Sequence, residues 1–174
     1  MSDDPLPLRT ERLLLRRFRP DDKGALDAYR RHPDVARFQS WEADYPDDAT
    51  ARFLEDMTTA AFWQPGSWFQ VAVELPGDGL VGDVAVLAGH GEARIGYSLH
   101  PRAWGRGYIS EAIRAVLSLL PGDVERVTAT IDPRNERSRR VLERLGFEPV
   151  GRLDEEELWS RPTTGAPPAG GDAT

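Results

Sequence analysis

Between Ile95 and Leu120 the chain passes from an apolar run, through a basic glycine-bearing turn, into a segment of helical period. Its centre reads Ile95-Gly96-Tyr97-Ser98-Leu99-His100-Pro101-Arg102-Ala103-Trp104-Gly105-Arg106-Gly107-Tyr108. Beyond it Ile109, Ala112, Ile113, Val116, Leu117 and Leu120 make one apolar stripe at helical spacing, and Pro121-Gly122 ends it. The spacing predicts strand, turn, helix. Such a turn is built to hold phosphate. The first amides of a helix have no intrahelical partner, glycine lets that backbone approach an anion closely, and Arg102 and Arg106 add charge.

Composition narrows what surrounds the turn. A chain of 174 residues with 40% hydrophobic and 29% charged content suits one soluble domain with a sizeable core. The net charge of −7 argues against nucleic acid as a partner. With no cysteine there is no disulfide framework, thiolate metal site or cysteine nucleophile. No apolar run reaches membrane-spanning length, and the first residues lack a secretory pattern, so a cytoplasmic location is expected. His32, His90 and His100 are too scattered in sequence to suggest a metal site, and none is expected.

In chain order, Arg12 to Phe18 alternates as a cationic first strand, and Pro20-Asp21-Asp22 opens a short helix burying Ala25, Leu26 and Tyr29. A brief helical turn follows over Val35 to Phe38. Then comes an aromatic segment containing Trp41 and Tyr45, and a helix striped by Phe53, Leu54, Met57, Ala60 and Ala61. Trp68 to Leu75, Leu80 to Ala88 and Arg94 to Leu99 read as three strands joined by glycine turns. Downstream, Val127 to Ile131 alternates as a strand, and Glu136 to Leu145 is a helix with Asn135 as N-cap and Gly146 beyond its end. Phe147 to Trp159 has room for two short strands. Residues 1–160 form one domain in this scheme, and 161–174, rich in Pro, Gly and Ala, are expected to be a disordered tail. The fold class is therefore α/β or α+β with a mixed sheet.

Two familiar phosphate motifs are absent. No G-x-x-x-x-G-K-[ST] occurs, and Gly105-Arg106-Gly107 lacks the third glycine of a dinucleotide fingerprint. Instead, Arg102-Ala103-Trp104-Gly105-Arg106-Gly107 resembles the [QR]-x-x-G-x-[GA] acyl-CoA motif of the GCN5-related N-acetyltransferases (GNAT). Thr10-Glu11-Arg12-Leu13-Leu14-Leu15-Arg16, Gly82-Asp83, Ile95-Gly96-Tyr97, Glu111-Ala112, Asp132-Pro133-x-Asn135-x-x-Ser138 and Val141-Leu142-Glu143-x-Leu145-Gly146-Phe147 resemble the RimJ/RimL-like branch, which acetylates ribosomal-protein N-termini. The resemblance covers roughly Leu8 to Trp159.

The resemblance implies a mostly antiparallel mixed sheet, splayed at the acyl-CoA site, with helices on both faces. It implies acetyl-CoA as donor, no metal, and a primary amine as acceptor. The leading acceptor is a protein or peptide N-terminus, attacking directly in a ternary complex; a polyamine or aminoglycoside is the alternative. A non-catalytic acyl-CoA-binding module and a dinucleotide-binding protein are the rivals. The protein is expected to be a monomer or homodimer. The cofactor residues carried over are Ser98 and Leu99 for pantetheine; Arg102, Trp104, Gly105, Arg106, Gly107 and Tyr108 for pyrophosphate; and Asn135. A side chain at Gly107 should then intrude on the phosphate. The catalytic candidates are the Leu99 amide for the oxyanion, Ser138 with Asn135 at the leaving thiolate, and Glu92 as base. Ser138 is the candidate acid because the position where relatives often place a tyrosine holds Leu142, and Ser138 could equally only supplement helix capping. Arg94 stands where this branch often carries glutamate. Phe38, Trp41 and Tyr45 are the candidate acceptor wall.

Overall fold

The computed structural model of the chain describes residues 4–41, 43–44 and 46–163. Among them, eight strands form one open sheet: β1 (Leu8–Arg9), β2 (Leu14–Arg16), β3 (Trp68–Leu75), β4 (Gly79–Ala88), β5 (Glu92–Leu99), β6 (Arg126–Ile131), β7 (Glu148–Leu153) and β8 (Glu156–Pro162). The helices are α1 (Lys23–Arg30), α2 (Pro33–Ala36), α3 (Asp47–Thr59), α4 (Tyr108–Leu117) and α5 (Glu136–Arg144). The spatial order is β1-β2-β3-β4-β5-β6-β8-β7, antiparallel throughout except for the parallel pair β5–β6 that α4 connects.

Strand alternation divides the core between the two faces of this sheet. Phe69, Val71, Val73, Val84 and Val86 bury against Ala112, Ile113 and Val116 of α4. Ala72 and Leu80 bury instead with Phe18, Leu26, Tyr29 and Leu54, the inner faces of α1 and α3. A buried bidentate pair ties this second layer to the sheet, with Arg16 Nη1 and Nη2 each 2.8 Å from an Asp22 oxygen.

The feature that positions the site is an incomplete ladder. β5 and β6 pair from Glu92↔Arg126 to Ile95↔Ala129 and then part. β5 continues to Leu99 on β4 alone, whereas Thr130 and Ile131 stay with β8. The expected splay is therefore present. Its β4 side is held very close, since a Cβ at Gly82 would lie 2.2 Å from the Ser98 carbonyl oxygen.

Several boundaries differ from the sequence pattern. The first expected strand shortens to Leu14–Arg16, and a two-residue strand precedes it where Thr10 turns the chain back on Leu13. α4 ends at Leu117 because the chain tightens into Val116–Leu119 and Leu117–Leu120 turns, which still hold Leu120 against the core. The last two strands form a hairpin about Asp154-Glu155, with β8 inserted between β6 and β7. β8 runs through Pro162, two residues into the expected tail; residues 164–174 lie outside the described residues.

Gly82→Ala forces β4 away from Ser98 at the start of the splay. The expected loss is about 1–3 kcal/mol of unfolding free energy in urea titration.

Candidate active site

Gly105 and Gly107 both adopt left-handed backbone, φ +72° and +77°, which turns the chain sharply into α4. Gly107 is the N-cap and brings no side chain to the first amides of the helix. The contrast is α5, whose N-cap Asn135 accepts the Ser138 amide through Oδ1 at 3.1 Å. Beside the uncapped end, the Ser110 hydroxyl is buried without a hydrogen-bond partner among the described residues. It lines a cleft of about 340 Å³ between the turn and α5, together with Trp104, Gly105, Gly107 and Tyr108.

The opposite wall of that cleft carries Arg137, Arg140 and Arg144. Spaced at i, i+3 and i+7, they share one face of α5. Arg137 also stacks on the Trp104 ring at 3.4 Å, and the Trp104 indole donates to the Leu99 carbonyl at 2.8 Å. A chain of net charge −7 thus presents a local cationic edge. The spacing of these arginines was available in the sequence, but the same pattern describes an ordinary solvated helix face. Only the packing of α5 beside the glycine turn gives them a common target.

The cleft leads into a smaller cavity at the splay, lined by Tyr97, Ser98, Leu99, Asn135, Ser138 and Val141, with Asp34, Val35, Phe38 and Gln39 of the α2 region across from them. Backbone direction follows from one bond. The His100 amide donates to Val81 on β4 at 2.7 Å, so by alternation the Leu99 amide points the other way, into the gap. The Ser98 amide and carbonyl face β4. Ser98 lines the cavity, but its amide and carbonyl are turned to β4, which corrects the expectation that its main chain is exposed to the gap. The Tyr97 carbonyl on the gap side accepts from Gln39 Nε2 at 3.3 Å. The Tyr97 hydroxyl crosses to α5 and donates to the Ser138 carbonyl at 3.3 Å; burial pushes its pKa well above the ordinary tyrosine value. Tyr97 thus braces the gap between strand and helix.

Other expected site residues fall elsewhere. Glu92 begins β5, at the far end of the strand from Leu99, roughly 20 Å away at strand rise. It accepts from Thr128 Oγ1 at 3.1 Å and lines a different groove, so strand direction removes it as a base. Arg102 donates to the Asp78 carbonyl at 3.1 Å, while Arg106 is exposed and engages Arg12 through its carbonyl; neither side chain lines the cleft. Trp41 donates to the Arg30 carbonyl at 3.0 Å and borders a shallow groove outside the cavity. Phe38 lines the cavity, and Tyr45 lies outside the described residues. A Cβ at Gly107 would lie at ordinary contact distance from Arg12 Nη2, 3.5 Å, so on this geometry the cost of a side chain there falls on the left-handed backbone. Leu142 is fully buried core. The fold also brings together histidines distant in sequence: the rings of His32 and His100 lie 6.1 Å apart. Burial, then Arg102 and His32, lower the pKa of His100. Among the described residues no group of three His, Asp or Glu side chains is placed to hold a metal ion.

Residues 12–148 match the family model of the acetyltransferase (GNAT) domain. The chain belongs to the GNAT family. It is 29% identical over 152 residues to the uncharacterized N-acetyltransferase YoaA of Bacillus subtilis (strain 168), covering 84% of this chain and 85% of YoaA. It shares the fold of a GNAT-family acetyltransferase from Bacillus anthracis, with a TM-score of 0.74 at 24% identity over 90% of this chain and 98% of that one. It shares the fold of RimL, a ribosomal L7/L12 α-N-protein acetyltransferase solved with coenzyme A, with a TM-score of 0.73 at 18% identity over 90% and 97%. As a GNAT member the protein is an N-acetyltransferase with acetyl-CoA as donor. The residues present fit that donor: unspent α4 amides, the orphaned Ser110 hydroxyl and the α5 arginines for phosphate, and a narrow cavity reaching the Leu99 amide for the thioester.

Two outcomes are expected. Arg140→Ala with Arg144→Ala should weaken CoA binding roughly tenfold in titration calorimetry and flatten its dependence on salt. His100 Nδ1 accepts the Arg102 amide at 3.1 Å, a bond that protonation of the ring removes. Its folded pKa lies below the unfolded value, so the unfolded chain takes up the proton first and stability falls as pH drops through about 6.5. His100→Asn, which keeps an acceptor there, should show a shallower fall in thermal midpoint between about pH 7 and pH 5.

Proposed function

We propose that the acceptor is the α-amine of a protein or peptide N-terminus, acetylated by direct attack on the thioester within a ternary complex. The observation that carries this reading is the cavity at the splay, in which Asp34 is the one carboxylate among the described lining residues and no histidine takes part. An α-amine has a pKa of about 7.7–8.0 and a lysine-like amine about 10.4. The first is substantially neutral near pH 8 without a dedicated base. The second pays about 3 kcal/mol to lose its proton under the same conditions. The RimJ/RimL-like motifs and the fold shared with RimL support the same acceptor class.

In this mechanism the donor's phosphates rest at Gly105 to Tyr108 and along α5, and its pantetheine arm follows the open side of β5. The Leu99 amide stabilises the developing oxyanion. Tyr97 ties β5 to α5, and Ser138 and Asn135 both line the cavity, so the Ser138 hydroxyl is the proposed donor to the departing thiolate. The Ser138 amide alone satisfies the N-cap, which leaves the hydroxyl unspent in capping. Asn135 thereby orients Ser138 as well as starting the helix. A thiol of reference pKa about 8.5 leaves readily enough for one weak donor to suffice.

Thiol release from acetyl-CoA over N-terminal peptides, polyamines and aminoglycosides tests the acceptor. Peptide turnover with kcat/KM rising to a plateau near the pKa of the free α-amine is expected; turnover of polyamines or aminoglycosides alone overturns the assignment. Ser138→Ala should lower kcat roughly tenfold or more while leaving CoA affinity within about twofold, and unchanged kcat would return Ser138 to a purely structural position.

A further inference from the structure

Arg12, just before β2, is distant in sequence from the phosphate turn yet reaches into it. Its Nη1 donates to the Arg106 carbonyl at 2.8 Å, and its Nε to Glu111 Oε2 at 2.7 Å. The guanidinium lies 4.6 Å from the centroid of the Tyr108 ring. The other Glu111 oxygen accepts from the Arg12 amide at 2.9 Å and from Thr10 Oγ1 at 2.6 Å. The chain before β2 is thus fastened to the first turn of α4 at both oxygens of one carboxylate.

We infer that Arg12 is a positioning residue for the donor: by holding the Arg106 carbonyl it fixes the peptide between Arg106 and Gly107 so that the Gly107 amide faces the cleft. The inference rests on the reading of this turn as the donor's phosphate site. In a trans peptide the carbonyl and the following N–H point in opposite directions. With the Arg106 oxygen drawn to Arg12, the Gly107 N–H faces away from Arg12, and Gly107 lines the cleft while Arg12 does not. The fastening matters because the residue after this peptide is glycine. Gly107 accepts left-handed and right-handed backbone alike, so nothing local prevents the peptide from turning over. Turned over, it would present a carbonyl oxygen to the phosphates and repel them.

Glu111 gives Arg12 its own anchor. Burial raises the Glu111 pKa, but the bonds from Thr10 and Arg12 outweigh it, and the carboxyl stays below its ordinary range. A carboxylate one turn inside an anion-binding helix N-terminus opposes the ligand unless it is neutralised, and Arg12 does that as well. The two roles separate by mutation.

With wild-type binding of CoA as the control, titration calorimetry on Arg12→Ala is expected to show a roughly 10- to 100-fold higher Kd, the range of one lost charged hydrogen bond. KM for acetyl-CoA should rise in parallel while KM for the amine does not. If Arg12 only neutralises Glu111, adding Glu111→Gln restores CoA affinity; if it positions the peptide, affinity stays low. Arg12→Lys keeps the charge but cannot hold Glu111 and the Arg106 carbonyl in one fork, so it should retain most of the loss, and it carries the test should Arg12→Ala not fold. In 15N spectra the Gly107 amide should shift on CoA addition in the wild type and lose that shift in Arg12→Lys. CoA affinity within about twofold of wild type in both Arg12 variants, or restoration by Glu111→Gln, overturns the inference while leaving the donor site intact. A wild-type chain that does not bind CoA overturns both.

Discussion

Two parallel strands that pair over four residue positions and then part are the constraint on which the site depends. Ending a ladder early leaves main-chain groups aimed into the gap, and each one buried without a partner costs about 1–3 kcal/mol. The molecule meets that cost with side chains from both walls. Gln39 covers the Tyr97 carbonyl and the Trp104 indole covers the Leu99 carbonyl. The Leu99 amide between them is left pointing at the cavity. The groups that make the splay tolerable are thus among those that line the cavity.

Width is the second requirement, and it is set from α5. Tyr97 reaches across to the Ser138 carbonyl, and Arg137 lies flat on Trp104, so strand and helix are joined at two levels of the gap. α5 is fixed from below by Val141, Leu142 and Leu145 in the core, and from β8 by Arg139 on Glu157 at 3.1 Å. This accounts for leucine at position 142. Fully buried, it seats the helix, while Ser138 and Asn135, about one and two turns earlier, line the cavity. Glu157 is engaged with Arg139 and with the Trp159 indole.

Order and type of the main elements were legible because periodicity reports burial, and burial here follows the simple alternation of β3 and the stripe of α4. The glycine turn was legible too, since its backbone demands show directly in residue choice. What escaped depended on orientation across the fold. Arg102 and Arg106 fit the motif as cations, yet their side chains do not line the cleft, and the positive edge comes from α5 instead. Glu92 sits near Leu99 in sequence terms, but a strand converts seven residues into the length of the sheet. Trp41 anchors on Arg30 rather than facing the cavity. Arg12 stood out only as part of the opening motif, with no hint of its contact to the turn, because its partners lie about a hundred residues away.

Among the described residues that line the cavity with Leu99, Asp34 is the one carboxylate and none is a histidine, which bears on the proposed acceptor. In direct transfer the amine must arrive neutral, and a site that supplies little basicity selects acceptors that are already neutral near physiological pH. An enzyme for lysine-like amines needs a carboxylate or water chain placed on the strand itself, and position 94, whose branch often carries glutamate, holds Arg94, paired opposite Thr128 where the ladder is still closed. Asp34 lies on the other wall, exposed in α2, where its charge can attract an ammonium group. On the proposed reading, selection by acceptor pKa is a property of the cavity as a whole: the α5 side carries arginines, the α2 side carries Asp34 among the described residues, and the accepted amine needs no more help than that.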